Sequence, residues 1–294
     1  MSQSTTHVDA VNELPSKTNP VSEPPVNPNQ ALWEKGDFTK IAETMRNSGR
    51  DLVSSLGIKP GMKVLDLGCG DGTTAIPAAE LGADVTGIDI SRNLVNAGKK
   101  RIADRKLSNI TIEQGDAMDL SQLQDQSFDL SISIFGAMFA PRPDDVAKEM
   151  VRVTRKGGKV VMGNWIPGDP TMISQLLRIS GMYNPPPEGF ISPALWGKEE
   201  IIIDRFGKAG IPKENISFEK LVFAFEGEFS AEEFLQRFKL YYGPTMNAFE
   251  TAAKNDKSDQ LYNELLDLFE DHNESEDQNK TLVNANYLLV TVKV

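Results

Sequence analysis

The sequence predicts an α/β fold built on a doubly wound, mostly parallel sheet. Three observations point there. Short apolar segments of strand character recur from residue 63 onward, separated by stretches with helical periodicity. The first of these strands runs into a loop with three glycines and then into a helix. The final segment, YLLVTVKV at 287–294, reads as one more strand. Strands alternating with helices imply a sheet covered on both faces, with right-handed crossovers.

Residues 1–30 are rich in Ser, Thr, Asn and Pro and include Pro15, Pro20, Pro24, Pro25 and Pro28. Such a segment buries too little apolar surface to offset its ordering entropy, so a disordered tail is expected. Order is predicted from Ala31, and 31–294 reads as one domain. Trp33 lies in a short lead-in that Gly36 separates from a helix near 38–56. There Phe38, Ile41, Ala42, Met45, Leu52 and Leu56 recur at helical spacing. Strands are predicted over 63–67 (KVLDL), 84–89 (DVTGID), 110–114 (ITIEQ) and 128–134 (FDLSISI). Helices are predicted over 73–81, where Pro77 is tolerated near the start, over 93–105 and over 143–153. In the last of these, Asp144 and Asp145 suit the positive end of the helix dipole. A Lys156-Gly157-Gly158 turn leads to a fifth strand, 159–164. The second half is less regular. Helices are expected at 171–182, 197–209, 230–242 (with Ser230 as N-cap) and 260–271. A Pro-rich loop is expected at 184–188, a sixth strand at 216–225 and the last at 287–294.

Composition narrows the chemistry. The 294 residues carry 31 Lys+Arg against 42 Asp+Glu, a net charge of −11. That argues against nucleic acid or an anionic membrane as partner. One cysteine, Cys69, and two histidines, His7 and His272, leave no disulfide framework, no multi-Cys metal site and little material for a Ser-His-Asp triad. No metal is expected. No run reaches a membrane-span length, and the N-terminus lacks signal-peptide character, so a cytoplasmic location is expected.

The segment KVLDLGCGDGT at 63–73 carries the most information. Glycines let backbone approach a ligand closely, and a helix start adds free N–H groups. The third glycine comes one residue early for a dinucleotide fingerprint. Asp66 lies on the strand before the loop. Asp89 ends the second strand, 21 residues after Gly68, where a carboxylate can accept from ribose hydroxyls. Asp116 follows the third strand, placed for an adenine amine. Three carboxylates at three strand ends suit a ligand with a ribose, an adenine and a cationic amino-acid end, and suit a pyrophosphate poorly.

VLDLGCGDG, GIDIS, GDAMDL and VTRKGGKVVM resemble the class I S-adenosylmethionine-dependent methyltransferases, nearest the small-molecule branch of ubiquinone- and menaquinone-biosynthesis type. The resemblance implies a Rossmann-like, seven-stranded sheet of order 3-2-1-4-5-7-6 with an antiparallel last strand. It implies S-adenosylmethionine as cofactor. Gly68, Cys69, Gly70 and Gly72 would line its methionine part, with Asp66 orienting the loop or meeting the amino group. Asp89 would hold the ribose, Ile90 would pack on the adenine, Asp116 and Ala117 would hold the adenine edge, and Ile134 and Phe135 would lie near the sulfonium. Segments 166–215 and 229–284 would be insertions covering the substrate.

Trp33, Phe38, Met138, Phe139, Trp165 and Tyr183 are the candidate substrate residues. Together they favour a small apolar or aromatic acceptor. The Asn/Asp-Pro-Pro-Tyr/Phe motif of exocyclic-amine methyltransferases is replaced after the fourth strand by SIFGAMFAP. No catalytic base stands out. Cys69 reads as a small loop filler, and Asp119 and Asp129 as structural groups. A non-catalytic cofactor-binding protein and a methyltransferase acting on a macromolecule are the alternatives. Oligomeric state is not legible.

Overall fold

Seven strands form one sheet in the order β3-β2-β1-β4-β5-β7-β6 in a computed structural model that describes Met1 and residues 28–294. The strands are β1 (Lys63–Leu67), β2 (Asp84–Asp89), β3 (Ile110–Gln114), β4 (Phe128–Ile134), β5 (Thr154–Trp165), β6 (Ile216–Gly227) and β7 (Thr281–Lys293). The first five pair in parallel, and β7 runs antiparallel between β5 and β6. This matches the expected fold, order and strand sense. Central strands are buried along consecutive residues, as in Val64, Leu65 and Leu67 or Val160, Val161 and Met162. Such runs are what two covered faces require.

Helices α1 (Pro28–Glu34), α2 (Thr39–Ala42) and α3 (Arg46–Ser55) precede the sheet. Then α4 (Ala75–Glu80), α5 (Arg92–Asp104) and α6 (Pro143–Val153) connect its strands, followed by α7 (Met172–Tyr183) and α8 (Glu199–Lys208) after β5. Between β6 and β7 lie α9 (Ala231–Tyr241), α10 (Gly243–Lys254) and α11 (Ser258–Asp271). One apolar core joins the sheet to α4, with Ala75, Ile76 and Ala78, and to α5, with Val95. A larger one joins it to α6, α7, α9 and α11.

Several boundaries differ from expectation, each for a local reason. Helix α1 begins at Pro28, inside the expected tail; residues 2–27 of that tail lie outside the described residues. Proline suits a first helical position because its missing N–H has no helical partner to lose. The single helix near 38–56 is broken by a 3-10 turn at Glu43–Met45, where the Thr44 hydroxyl donates to the Ile41 carbonyl at 2.7 Å. The expected turn at 156–158 belongs to β5 as an irregular stretch, with a register shift between Phe128 and Leu130 on the partner strand. Helix α10 was hidden behind Gly243-Pro244, which opens it rather than ending a helix. The last strand starts at Thr281, six residues early. Val283 and Ala285 face the core between half-exposed Asn284 and Asn286, a weak alternation. Ser230 caps α9 as expected, in a capping box with Glu233.

Candidate active site

At the C-terminal ends of the strands lies a cavity that is open at its mouth. Doubly wound sheets bind ligands at this edge. One end is floored by Gly68 and Gly70 after β1, Asp89 and Ile90 after β2, Gly115, Asp116 and Ala117 after β3, and Ile134 and Phe135 from the end of β4. The other end is walled by Phe139 and Trp165, Ile173 and Leu176 of α7, Phe225 of β6, Phe238 of α9, and Tyr242. Asn29, Trp33 and Phe38 close it from the N-terminal side.

The glycine loop is held by carboxylates. Asp89 Oδ2 accepts from the Gly70 amide at 2.8 Å, and its Oδ1 accepts from the Ser91 amide at 2.8 Å. Asp66, with no exposed surface, accepts from the Thr74 hydroxyl at 2.5 Å, and its Oδ1 has no hydrogen-bond partner among the described residues. Burial pushes the Asp66 carboxyl up to about 7; the Thr74 hydrogen bond opposes this and the Asp89 charge adds to it. Burial likewise raises Asp89 to about 6, against the pull of the Ser91 and Gly70 amides. Among the described residues no Lys or Arg forms an ion pair with either carboxylate. Asp116 Oδ1 accepts from the Met118 amide at 2.9 Å.

Phe135 carries φ +60 at the end of β4. A bulky residue in that region is strained, and such strain concentrates at ligand sites. Its ring stacks on Trp165 with centroids 3.6 Å apart and planes at 5°. The lead-in is pinned on two sides. The Arg92 amide donates to Glu34 Oε1 at 2.9 Å, Asn93 Nδ2 donates to the Gly36 carbonyl at 3.0 Å, and Lys35 pairs with Glu250 at 2.8 Å.

Eight of the eleven cofactor candidates line the cavity: Gly68, Gly70, Asp89, Ile90, Asp116, Ala117, Ile134 and Phe135. The other three lie behind it. Asp66 and Cys69 are buried under the loop, and Gly72 faces Ile76 and Ile112 where the loop enters α4. Burial first, then the Asp66, Asp89 and Asp71 charges, hold the Cys69 thiol well above its ordinary value, so it is no nucleophile. Of the substrate candidates, Trp33, Phe38, Phe139 and Trp165 line the cavity. Met138 does not; it is a core residue. Tyr183 points elsewhere, its hydroxyl donating to Glu264 at 3.1 Å. Asp129 accepts from the Lys63 amide and Asp119 from the Ser121 amide, both in structural roles. Both His272 ring nitrogens lie 2.9 Å from carbonyl oxygens, of Leu268 and Pro170. Sequence reasoning missed Asn29, Gly136, Ile173, Leu176, Phe238 and Tyr242. Of these, Gly136, a glycine two residues past the end of β4, carried a usable signal.

Comparison with known proteins finds methyltransferase relatives. A model described as a methyltransferase domain matches residues 58–175. An uncharacterized protein of Mycobacterium tuberculosis is 32% identical over 238 residues, covering 78% of this chain and 82% of that protein. Demethylmenaquinone methyltransferase of Paenarthrobacter aurescens is 38% identical over 129 residues, covering 44% of this chain and 48% of the relative. Among solved structures, phosphoethanolamine N-methyltransferase 2 of Haemonchus contortus, in complex with phosphomonomethylethanolamine and S-adenosylhomocysteine, superposes with a TM-score of 0.58 at 18% identity, covering 92% of this chain and 61% of that one. The YcgJ protein of Bacillus subtilis gives a TM-score of 0.53 at 15% identity, covering 83% and 97%. Two buried carboxylates without a cation, beside a backbone cradle and an apolar slot, fit a ligand that brings its own positive charges. The chain belongs to the class I S-adenosylmethionine-dependent methyltransferases, and S-adenosylmethionine is its cofactor.

Proposed function

We propose that this methyltransferase alkylates a small, apolar or aromatic metabolite by in-line displacement. One observation carries the reading: the cavity that begins on the carboxylate floor continues, without a break, into a chamber walled by Trp165, Ile173, Leu176, Phe225 and Phe238. A macromolecular acceptor would need an open approach, whereas α1 and the α9–α10 corner cover this chamber. The segments 166–215 and 229–284 supply α7, α9 and α10, which supports their reading as substrate covers.

We assign the cofactor to the floor. Gly68 and Gly70 would carry the amino-acid end, Asp89 the ribose, Ile90 and Ala117 the faces of the adenine, and Asp116 its edge. Asp66 would act from beneath, through the loop it braces. The cofactor supplies a methyl group already activated by its sulfonium. The protein's part is then placement and exclusion of water. Among the described residues the ionisable side chains lining the cavity are Asp89, Asp116 and Tyr242; with both carboxylates assigned to the cofactor, we infer an acceptor that is nucleophilic without a protein base.

The test is incubation with radiolabelled S-adenosylmethionine and, separately, low-molecular-mass, protein and nucleic acid fractions of a cell extract. Label should enter an organic-extractable small molecule. Label confined to protein or nucleic acid would sink the reading, and binding without transfer to any fraction would favour a non-catalytic cofactor-binding protein.

A further inference from the structure

We propose that Tyr242 is the residue that recognises the methyl acceptor, donating a hydrogen bond to an oxygen the acceptor carries on an otherwise apolar frame. This rests on the chamber being the acceptor site.

Tyr242 sits at the corner between α9 and α10, where an extended backbone (φ −102, ψ 107) interrupts the helices. Its ring is held by Phe238, Trp33 and Phe38, with centroids 5.3, 5.9 and 6.0 Å away. The residue is only 5% exposed and lines the chamber. Among the described residues its hydroxyl has no hydrogen-bond partner, yet it is not one of the polar atoms sealed off inside the protein. It therefore opens onto the cavity. A buried tyrosine hydroxyl ordinarily finds a partner, because leaving one unmet costs stability. Here the cavity is where that partner would come from.

The direction of the bond follows from burial. Desolvation, with no cation to offset it, holds the phenol far above its usual range. It stays protonated at neutral pH and serves as a donor rather than a base. Trp165, which also lines the chamber, adds a second donor, an indole N–H that likewise has no partner among the described residues. Donors set among the apolar side chains of the chamber match a ring compound bearing a carbonyl or phenolate oxygen. They do not match a protonated amine, which has no lone pair to accept with.

The test uses 2-naphthol and its near-isostere 2-methylnaphthalene as probes, titrated into wild type and Tyr242→Phe with S-adenosylhomocysteine bound. Wild type should prefer 2-naphthol by about two- to tenfold, the range of one net hydrogen bond. Tyr242→Phe should abolish that preference while leaving the affinities for 2-methylnaphthalene and S-adenosylhomocysteine unchanged. A preference that survives in the variant overturns the proposal. So does wild type binding both probes equally. A loss of S-adenosylhomocysteine affinity in the variant overturns it too, by assigning the hydroxyl to the cofactor. If wild type binds S-adenosylhomocysteine but neither probe, the apolar-acceptor reading fails along with it.

Discussion

Arg46 grips Asp71 across the gap between α3 and the glycine loop. Its Nη1 donates to Asp71 Oδ1 at 2.8 Å while Nη2 bonds Oδ2, a bidentate pair on a carboxylate that is 2% exposed. From the other side Arg101 of α5 lies 3.1 Å from Oδ1 and donates to the Asp71 carbonyl at 2.5 Å. The loop under the cofactor is thus braced by charge-assisted bonds from two helices. Replacing Arg46 by Met should cost about 1–3 kcal/mol of stability, because a buried carboxylate loses half its partners while Arg101 persists. Urea denaturation measures this. Cofactor affinity should fall with it, since Asp71 lies between Gly70 and Gly72.

Gly68 and Gly136 meet back to back. A Cβ on Gly136 would lie 2.4 Å from the Gly68 carbonyl oxygen, and one on Gly68 would lie 2.7 Å from the Gly136 Cα. Gly68 also has φ +71, where any side chain is strained. Both contacts are backbone, so neither side can yield by rotating a side chain. Gly136→Ala should therefore push the loop off its position, losing about 1–3 kcal/mol of stability as an overpacked site. S-adenosylhomocysteine binding by calorimetry should weaken more than global stability does. An unperturbed affinity would mean that the loop tolerates the shift.

Asp89 offers a separable handle on the same loop. Its two oxygens already hold the Gly70 and Ser91 amides. Asp89→Ala should weaken cofactor binding by about 1–3 kcal/mol, the range for unmet partners of a charged group. An unchanged dissociation constant would remove Asp89 from the cofactor site.

How much of this was legible beforehand follows the period of each signal. The strands β1, β2, β3 and β4 were readable because buried parallel strands are short apolar runs with turn residues at their ends. The floor of the cavity was readable for the same reason: its residues follow strand ends in sequence, so Asp89, Ile90, Asp116 and Ala117 come with their strands. The substrate wall was not. Ile173, Leu176 and Phe238 sit on helices, and Tyr242 at a helix corner, where an apolar residue facing a cavity looks the same as one facing the core. Only tertiary packing separates Trp165, which lines the chamber, from Met138, which does not. Tyr241 and Tyr242 are neighbours in sequence, and the corner between α9 and α10 decides which one turns inward.

The raised carboxyls set a pH dependence. In the ligand-free protein Asp66 titrates at about 7 and Asp89 at about 6, both above the ordinary carboxylate range. The folded protein thus holds protons that the unfolded chain has already released. Their stabilisation is fully present at acid pH, below the unfolded value, and is lost as pH rises through about 6 and then about 7. A cationic ligand favours the ionised carboxylates, so S-adenosylmethionine should bind more tightly as pH rises across that window, with proton release near its midpoint. Calorimetry in buffers of different ionisation enthalpy counts those protons. Asp66→Asn should remove the upper part of the dependence, and a profile identical to wild type would detach Asp66 from it.

Access to the chamber should run through the N-terminal lead-in. A Cβ on Gly243 would lie 2.3 Å from the Leu32 carbonyl oxygen, and one on Gly36 would lie 2.2 Å from the Tyr241 carbonyl oxygen. The chain therefore touches the α9–α10 corner backbone to backbone at two points, with Trp33 between them over the cavity. Helix α1 has only seven residues and no buried side chain of its own. Helices so short are marginal alone, so its order depends on those contacts and on the Lys35–Glu250 pair. Gly243→Ala should lift α1 without unfolding the sheet. Hydrogen exchange over residues 28–36 should then accelerate by an order of magnitude or so while β1 and β4 stay protected, as expected for local opening rather than global unfolding. Bound S-adenosylhomocysteine should slow exchange there in wild type and less so in the variant. Equal exchange in both proteins, with and without ligand, would show that α1 is fixed and that the acceptor enters elsewhere.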